Sequence, residues 1–287
     1  MKKIITILVA IALAGFLIYA INFQKKTIPV EKPGKVSVTG AYEKHFGAAP
    51  PVDKGTAYAF VIYFPSRVSP GKVVPFPFFT FDEASLKKVA IDRLLSGMDI
   101  SSYQGEFLTV PSGIRIVSLN ETQGTVTLTL SKEFTQAVEH RTADNFIRAI
   151  ALTLRQFNGV SAVRFQAEGS AAVSDVQADQ GAILEAGPPR LLSVTAMRDK
   201  GAKDVEDVNA FFDRPVEIKE LKLLSTDGQS YAGELFHSVF DMAAVLKPKD
   251  PSQFKKNMPV KVCWKVIDKL SRQAEGDSIW LLDVKEH

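Results

Sequence analysis

The sequence predicts an α+β protein: an N-terminal apolar segment able to anchor in a membrane, then a small α/β domain, then a C-terminal all-β sandwich. Three observations point there. Residues 4–23 run for twenty positions without a charge. Between residues 81 and 169, two segments with helical apolar spacing bracket a pair of alternating strands. After residue 190, six short apolar alternations follow one another with no helical stripe among them.

The first segment is flanked by Lys2 and Lys3 on one side and Lys25 and Lys26 on the other. Twenty residues at about 1.5 Å each reach about 30 Å, the depth of a bilayer's hydrocarbon core. Residues 1–26 therefore read as a transmembrane anchor, with a cleaved signal peptide as the competing reading. The run exceeds a usual signal-peptide core, and Ile18-Tyr19-Ala20 puts a bulky residue where cleavage prefers a small one. No Cys stands just after the run, so a lipid-modified terminus is excluded. The flanking lysines balance, and the terminal amino group tips the short N-terminus towards the cytoplasm. That expectation places everything after Lys26 outside the cytoplasm of a bacterial cell, single-pass in the membrane, or secreted if the segment is cleaved.

Composition narrows the functions. A hydrophobic fraction of 46% suits ordinary globular cores. Setting aside the four lysines of residues 1–26 leaves 31 basic against 32 acidic residues, so no basic domain remains to bind nucleic acid. Cys263 is the sole cysteine, which rules out an intramolecular disulfide. In the run 260–266 it alternates with the apolar face and shares the polar face with Lys261 and Lys265.

In chain order, residues 27–55 are rich in Pro, Lys and Gly and read as a spacer, in which Tyr42 and Phe46 are the only aromatic pieces that could dock. Residues 57–64 form a β-branched and aromatic strand, halted by Pro65. Residues 73–81, broken by Pro75 and Pro77, are an edge strand or an extended arm. Asp82 is the expected N-cap of a helix with Ser85 at its third position; Leu86, Val89, Ala90 and Leu94 make its apolar face, and Gly97 ends it. Residues 99–112 are a polar loop. A hairpin follows, Ile114-Arg115-Ile116 against residues 126–130, turning at 120–124. Ser131 caps a short helix reaching Val138; a longer one starts at Thr142, presents Ile147, Ile150, Ala151 and Leu154, and stops at Asn158-Gly159. With a strand at 160–167, this makes a unit over 56–169 with helices packed on one face of a small sheet. Residues 170–189 turn small and polar, ending in Gly187-Pro188-Pro189, and read as a linker. The region 190–287 then supplies strands at 191–197, 208–212, 218–224, 233–240, 260–267 and 279–284, an immunoglobulin-like sandwich with Trp264 and Trp280 in its core.

The chemistry is sparse. His45, His140, His237 and His287 are scattered, with no pair at metal-binding spacing. Asp199, Asp204 and Asp207 lack the glycine-punctuated spacing of a calcium loop. Glu139-His140 reads as a solvated face rather than a proton-transfer pair. Glu133 and Glu139 are the two carboxylates to nominate for a hydrolase. No catalytic, cofactor-binding or metal-binding residue is assigned, and no cofactor is expected.

Leu94-Leu95-Ser96-Gly97, the run from Val126 to Phe134, and the run from Leu152 to Phe165 resemble the GerMN domain of sporulation and germination proteins. The resemblance spans roughly residues 57–169 and departs at Met98, where the family usually has proline. It implies an αβ fold similar to ring-building motifs, membrane attachment and a scaffolding role without catalytic residues. Residues 212–217 and 262–266 are similar to bacterial immunoglobulin-like modules, some of which bind copper through histidines; His237 and His287 are too few for such a site. The expectation is a non-catalytic interaction or scaffold protein of the cell envelope. Its partners would be the membrane, through the N-terminal helix, and envelope proteins or further copies of itself, with peptidoglycan as another candidate. The alternative is a cell-wall hydrolase or glycan-binding protein.

Overall fold

The structure, a computed structural model, describes residues 34–287. The apolar segment read as an anchor lies outside them. Among the described residues no helix is long and apolar enough to cross a membrane.

The first body is built on β2 (Thr56–Pro65), buried without a break from Ala59 to Pro65. An unbroken apolar run is what a strand covered on both faces requires. β1 (Lys35–Val38) pairs with it in parallel and β3 (Val73–Thr80) antiparallel on the other side. Pro75 and Pro77 stand opposite Tyr63 and Val61 in this ladder. The Val61 N–H and C=O face away from β3, so the two prolines take positions that exchange no bond with β2, and β3 is an edge strand rather than an arm.

β1 ends opposite Ala59, leaving the β2 backbone beyond it without a strand neighbour. The end of the long helix replaces that strand. The Gln156 amide accepts from Val61 N at 2.7 Å and donates to Val61 O, while Thr153 Oγ1 accepts from Tyr63 N at 3.3 Å.

A second sheet, in the order β4 (Ile116–Thr122), β5 (Thr125–Leu130), β6 (Ala162–Ala167), β7 (Val173–Val176), lies across the helices α2 (Leu86–Ser96) and α4 (His140–Arg155). α4 touches β2 of one sheet and β6 and β7 of the other; α2 touches β2 and β4. The helices are therefore layered between two sheets, not packed on one face of a single sheet. The six consecutive buried positions Ala149–Leu154 are the consequence, since no side of the helix there meets water.

Several expected boundaries move. The spacer expected over 27–55 gives way to structure from Lys35: α1 (Gly40–Phe46) follows β1, capped by Thr39, whose hydroxyl accepts from Tyr42 N at 3.2 Å. Tyr42 and Phe46 both join the core. α2 starts after Ser85, because the Asp82 carboxylate accepts from Ser85 N at 3.3 Å and shapes the turn before the helix instead of its first turn. α3 (Glu133–Ala137) is short, and α4 begins at His140, two residues ahead of Thr142. The 170–189 segment is no free linker: β7 pairs with β6, Ile183 bridges to Val73, and Ala182 and Ala186 are buried. Small residues bury without leaving an apolar period.

The second body is a two-sheet β-sandwich. One sheet runs in the order β11 (Gly233–His237), β12 (Ala243–Pro248), β9 (Asp207–Phe212), β8 (Leu191–Arg198), β15 (Asp283–Glu286); the other is β10 (Glu217–Leu224), β13 (Pro259–Ile267), β14 (Gln273–Leu281). Val194, Val208 and Phe212 from the first meet Leu223, Val260 and Val262 from the second. Trp264 and Trp280 are half-buried at the margin of this core, Trp264 edge-on to Phe212 at 5.5 Å. The expected strand at 279–284 is two strands, broken at the buried Leu282. β12 is hidden in the sequence because Ala243, Ala244, Val245 and Leu246 are all apolar, so the alternation of burial from Ala244 onward leaves no alternation of polarity until Lys247.

Candidate functional site

The two bodies meet along a seam, and the most deeply buried charges of the described residues lie in it. Two turns at one end of the sandwich supply them. Between β9 and β10, Asp213 and Arg214 are 2% and 3% exposed; between β13 and β14 lie Asp268 and Arg272.

Arg214 forks onto its neighbour, Nε to Asp213 Oδ1 at 3.0 Å and Nη2 to Oδ2 at 2.8 Å, and its Nη1 donates to Gly187 O at 2.7 Å. Asp268 Oδ2 accepts from Arg272 Nε at 2.6 Å and stands 3.7 Å from Arg214 Nη1. Every one of these groups has a partner, as buried charges must.

The first body closes the network. Tyr103 hydroxyl donates to Asp213 Oδ2 at 2.7 Å, and burial, then the Asp213 carboxylate, push this phenol well above its ordinary value, so it stays a donor. Arg272 Nη2 donates to His45 O at 2.9 Å, and the Arg214 and Arg272 guanidinia lie 5.6 and 6.0 Å from the centre of the Phe46 ring. Arg190 lies over the Tyr103 ring at 4.2 Å and reaches Glu106 Oε1 at 2.6 Å. At the other end of the seam, Phe240 in the β11–β12 turn stacks on Phe79 at 4.4 Å and leans on Phe81 at 5.5 Å. Phe240 holds φ at +64°, a region bulky residues avoid, so the turn is strained to make that stack.

The loop over 99–112, polar by composition, thus carries two buried aromatics, Tyr103 and Phe107, and brings Tyr103 and Glu106 to the seam. Sequence reasoning missed these residues. The available signal was Asp213-Arg214-Pro215 set between Phe212 and Val216, which reads equally as an ordinary turn.

The nominated chemistry does not assemble. Glu133 is held ionised, its pKa lowered by the Ser131 hydroxyl first and then by a backbone N–H, the opposite of what a general acid needs. Glu139 is exposed at the start of α4. Asp207 has its pKa raised by burial and accepts from Asn209 Nδ2 at 2.6 Å, whereas Asp204 is exposed. His140 is exposed 3.9 Å from Asp144, His237 lies 3.7 Å from Asp241, and His287 lies 3.8 Å from Glu206. Cys263 stands between Lys222 and Asp277 on the outer face of β13. Among the described residues, no group of three His, Cys, Asp or Glu side chains converges in a way that could hold a metal ion.

Two open grooves mark the surface of the first body. One of about 650 Å³ runs between the edges of β1 and β4 beside the start of α2, lined by Tyr58, Glu83, Lys87, Leu119 and Phe157. The other, about 680 Å³, lies along α4 and β7 and includes Phe134, Ile147 and Asp175.

No curated protein matches the sequence. Among solved structures, PcoC, a methionine-rich copper resistance protein from Escherichia coli, is 17% identical over 34% of this chain and all of its own, with a TM-score of 0.26. The first GerMN domain of the sporulation protein GerM from Bacillus subtilis is 17% identical over 42% of this chain and 95% of its own, at 0.33. The tandem GerMN domains of the same protein are 14% identical, over 60% of this chain and 57% of theirs, again at 0.33. The model of the Germane family, described as sporulation and spore germination, matches residues 61–173, and the first body of this chain is a domain of that GerMN type.

Proposed function

We propose that the protein is a non-catalytic scaffold of the bacterial cell envelope, held at the membrane by its N-terminal segment and presenting its two bodies outside the cytoplasm as one rigid unit. The family description of the first body ties this reading to sporulation or germination. The observation that carries it is the seam. The most buried ionic groups, Asp213, Arg214 and Asp268, are consumed in joining one body to the other, with no oxygen or nitrogen of theirs aimed into a groove. An interface between domains that merely share a chain is usually polar and permits motion. Fully paired buried charges resist it, because sliding would strand each of them without a partner.

In-cell crosslinking followed by mass spectrometry tests the reading. The intact chain is expected to give a fixed set of envelope neighbours, and Arg214→Ala, which uncouples the bodies, to lose most of them. Turnover of peptidoglycan fragments by the purified chain would sink it. A reporter enzyme active only in the cytoplasm, fused after His287, is expected to stay silent, and activity there would reverse the topology.

A further inference from the structure

The five-stranded sheet of the sandwich is opposed by only three strands, and β14 sits over β8, so β11 at the far edge overhangs. Leu235 shows the result. It pairs with Leu246, which is 5% exposed, and points to the same face, yet it is itself 50% exposed because the opposite sheet has run out. Phe236, on the other face, is 47% exposed.

The hydrogen-bond phase of β11 follows from its ends. Lys249 N donates to Ala232 O, Ser238 N donates to Ala243 O, and Pro248, which has no N–H, stands opposite Gly233. Even-numbered residues therefore bond to β12. Gly233, Leu235 and His237 turn their N–H and C=O groups to the open edge.

From this we infer that β11 is a self-pairing edge: a second copy of the chain adds its own β11 antiparallel about a two-fold axis at Leu235, joining the two five-stranded sheets into one. The sequence Gly233-Glu234-Leu235-Phe236-His237 is self-complementary about that axis. Leu235 meets Leu235, the half-exposed His237 meets glycine, and Glu234 meets Phe236 while keeping Lys247 opposite it in its own chain. About six main-chain hydrogen bonds form, and the two overhanging leucines cover each other.

Three other edges, β3, β10 and β14, are closed to this. β3 carries Pro75 and Pro77, and β10 carries the pairs Lys219–Glu217 and Lys222–Glu220. On β14, Glu275 and Asp277 flank Gly276, so antiparallel self-pairing about that glycine would set acid against acid.

A five-residue pairing falls short of the roughly 1,200 Å² that stable interfaces bury, so the dimer is weak in dilute solution. Tethering to one membrane raises the effective concentration, and in that respect the inference rests on the scaffold reading above.

Leu235→Cys in a Cys263→Ser background tests the pairing in the full chain. Residues facing across such a pair have Cα atoms about 5.5 Å apart, within disulfide reach. Oxidation is expected to give a covalent dimer at least ten times faster than for Leu281→Cys, whose parent residue is 69% exposed at the end of β14. Leu235→Pro removes an outward N–H and the overhanging leucine while sparing the bonds to β12, and is expected to cut self-association in sedimentation at least ten-fold while leaving the melting midpoint in place. Leu235→Lys serves the same purpose should the proline variant fold poorly. Crosslinking no faster than at Leu281, or undiminished association in both variants, would overturn the inference. Neither result bears on catalysis, which the peptidoglycan assay reads separately.

Discussion

Burial holds the His45 imidazole neutral and pushes its pKa down to about 4, with Lys44 and Arg272 adding to the push. Its Nε2 is buried without a hydrogen-bond partner, and its ring packs edge-on to Tyr63 at 5.9 Å. A native pKa below the unfolded value means that the unfolded chain takes up a proton the folded chain refuses. This contribution to stability is complete above pH 6.5, falls as the pH drops through the window from 6.5 to about 4, and is then constant. Its size is about 3 kcal/mol at the low end. His45→Leu is therefore expected to flatten the loss of stability between pH 7 and pH 4.5, measured by urea unfolding as the difference from the parent. Parallel pH profiles for the two would show that the imidazole is not what titrates. Since His45 stands in α1 beside Phe46 and lends its carbonyl to Arg272, acid would loosen the seam before either core.

At the scale of elements, the clearest case is the β4–β5 turn, where Gln123 and Gly124 both have positive φ, the pairing a two-residue hairpin demands. Gly124 also lies under the start of β6. A Cβ there would meet Gly159 O and Ser161 Oγ, each at 2.8 Å, while Gly124 O accepts from Ser161 N at 2.7 Å. Gly124→Ala is expected to cost about 1–3 kcal/mol. Gly40→Ala, in the first turn of α1 with open space around it, should be neutral or slightly stabilising by up to about 1 kcal/mol. Equal effects in thermal melts would refute the argument from close approach. Of this hairpin only the second strand was read in place, because it alternates. The first, expected at 114–116, is β4 at Ile116–Thr122, and Asn120 to Thr122, polar enough to read as turn, continue that strand, whereas β2 was legible because its apolar run is unbroken. β1 left only the brief alternation of Lys35-Val36-Ser37-Val38 inside a segment read as a spacer, and α1, seven residues long in Pro- and Gly-rich surroundings, left none. Nor was the layering of α4 between two sheets legible, because a stripe shows which face is most apolar but not how many surfaces will cover the helix. The seam was the least legible part of all. Asp213, Asp268 and Tyr103 lie on three polar turns far apart in sequence, and each reads as solvated until the fold brings them together.

Over the whole molecule, the two cores are separate apolar clusters, so their cooperation depends on what joins them. At the rim, Arg190 and Glu106 are 40% and 35% exposed and contribute about 0–1 kcal/mol. In the centre, the side chains of Arg214 and Asp213 are 4% and 0% exposed, and removing one partner strands a buried charge at a cost of about 3–5 kcal/mol. That difference decides which residues couple the bodies. Arg214→Ala leaves Asp213 with only Tyr103 hydroxyl and Arg190 N as partners, and Asp268 with Arg272. The carboxylates then favour separation of the bodies, because water can solvate what the seam no longer does. The parent chain is expected to unfold in a single calorimetric transition. Arg214→Ala should split it into two, one for each core, with the sandwich and the GerMN-type domain melting independently; Glu106→Gln should leave the single transition intact. One undivided transition at an unchanged midpoint in Arg214→Ala would mean that packing of Phe46, Phe79 and Phe240 suffices to hold the unit together, and the ionic centre would lose its place as the joint.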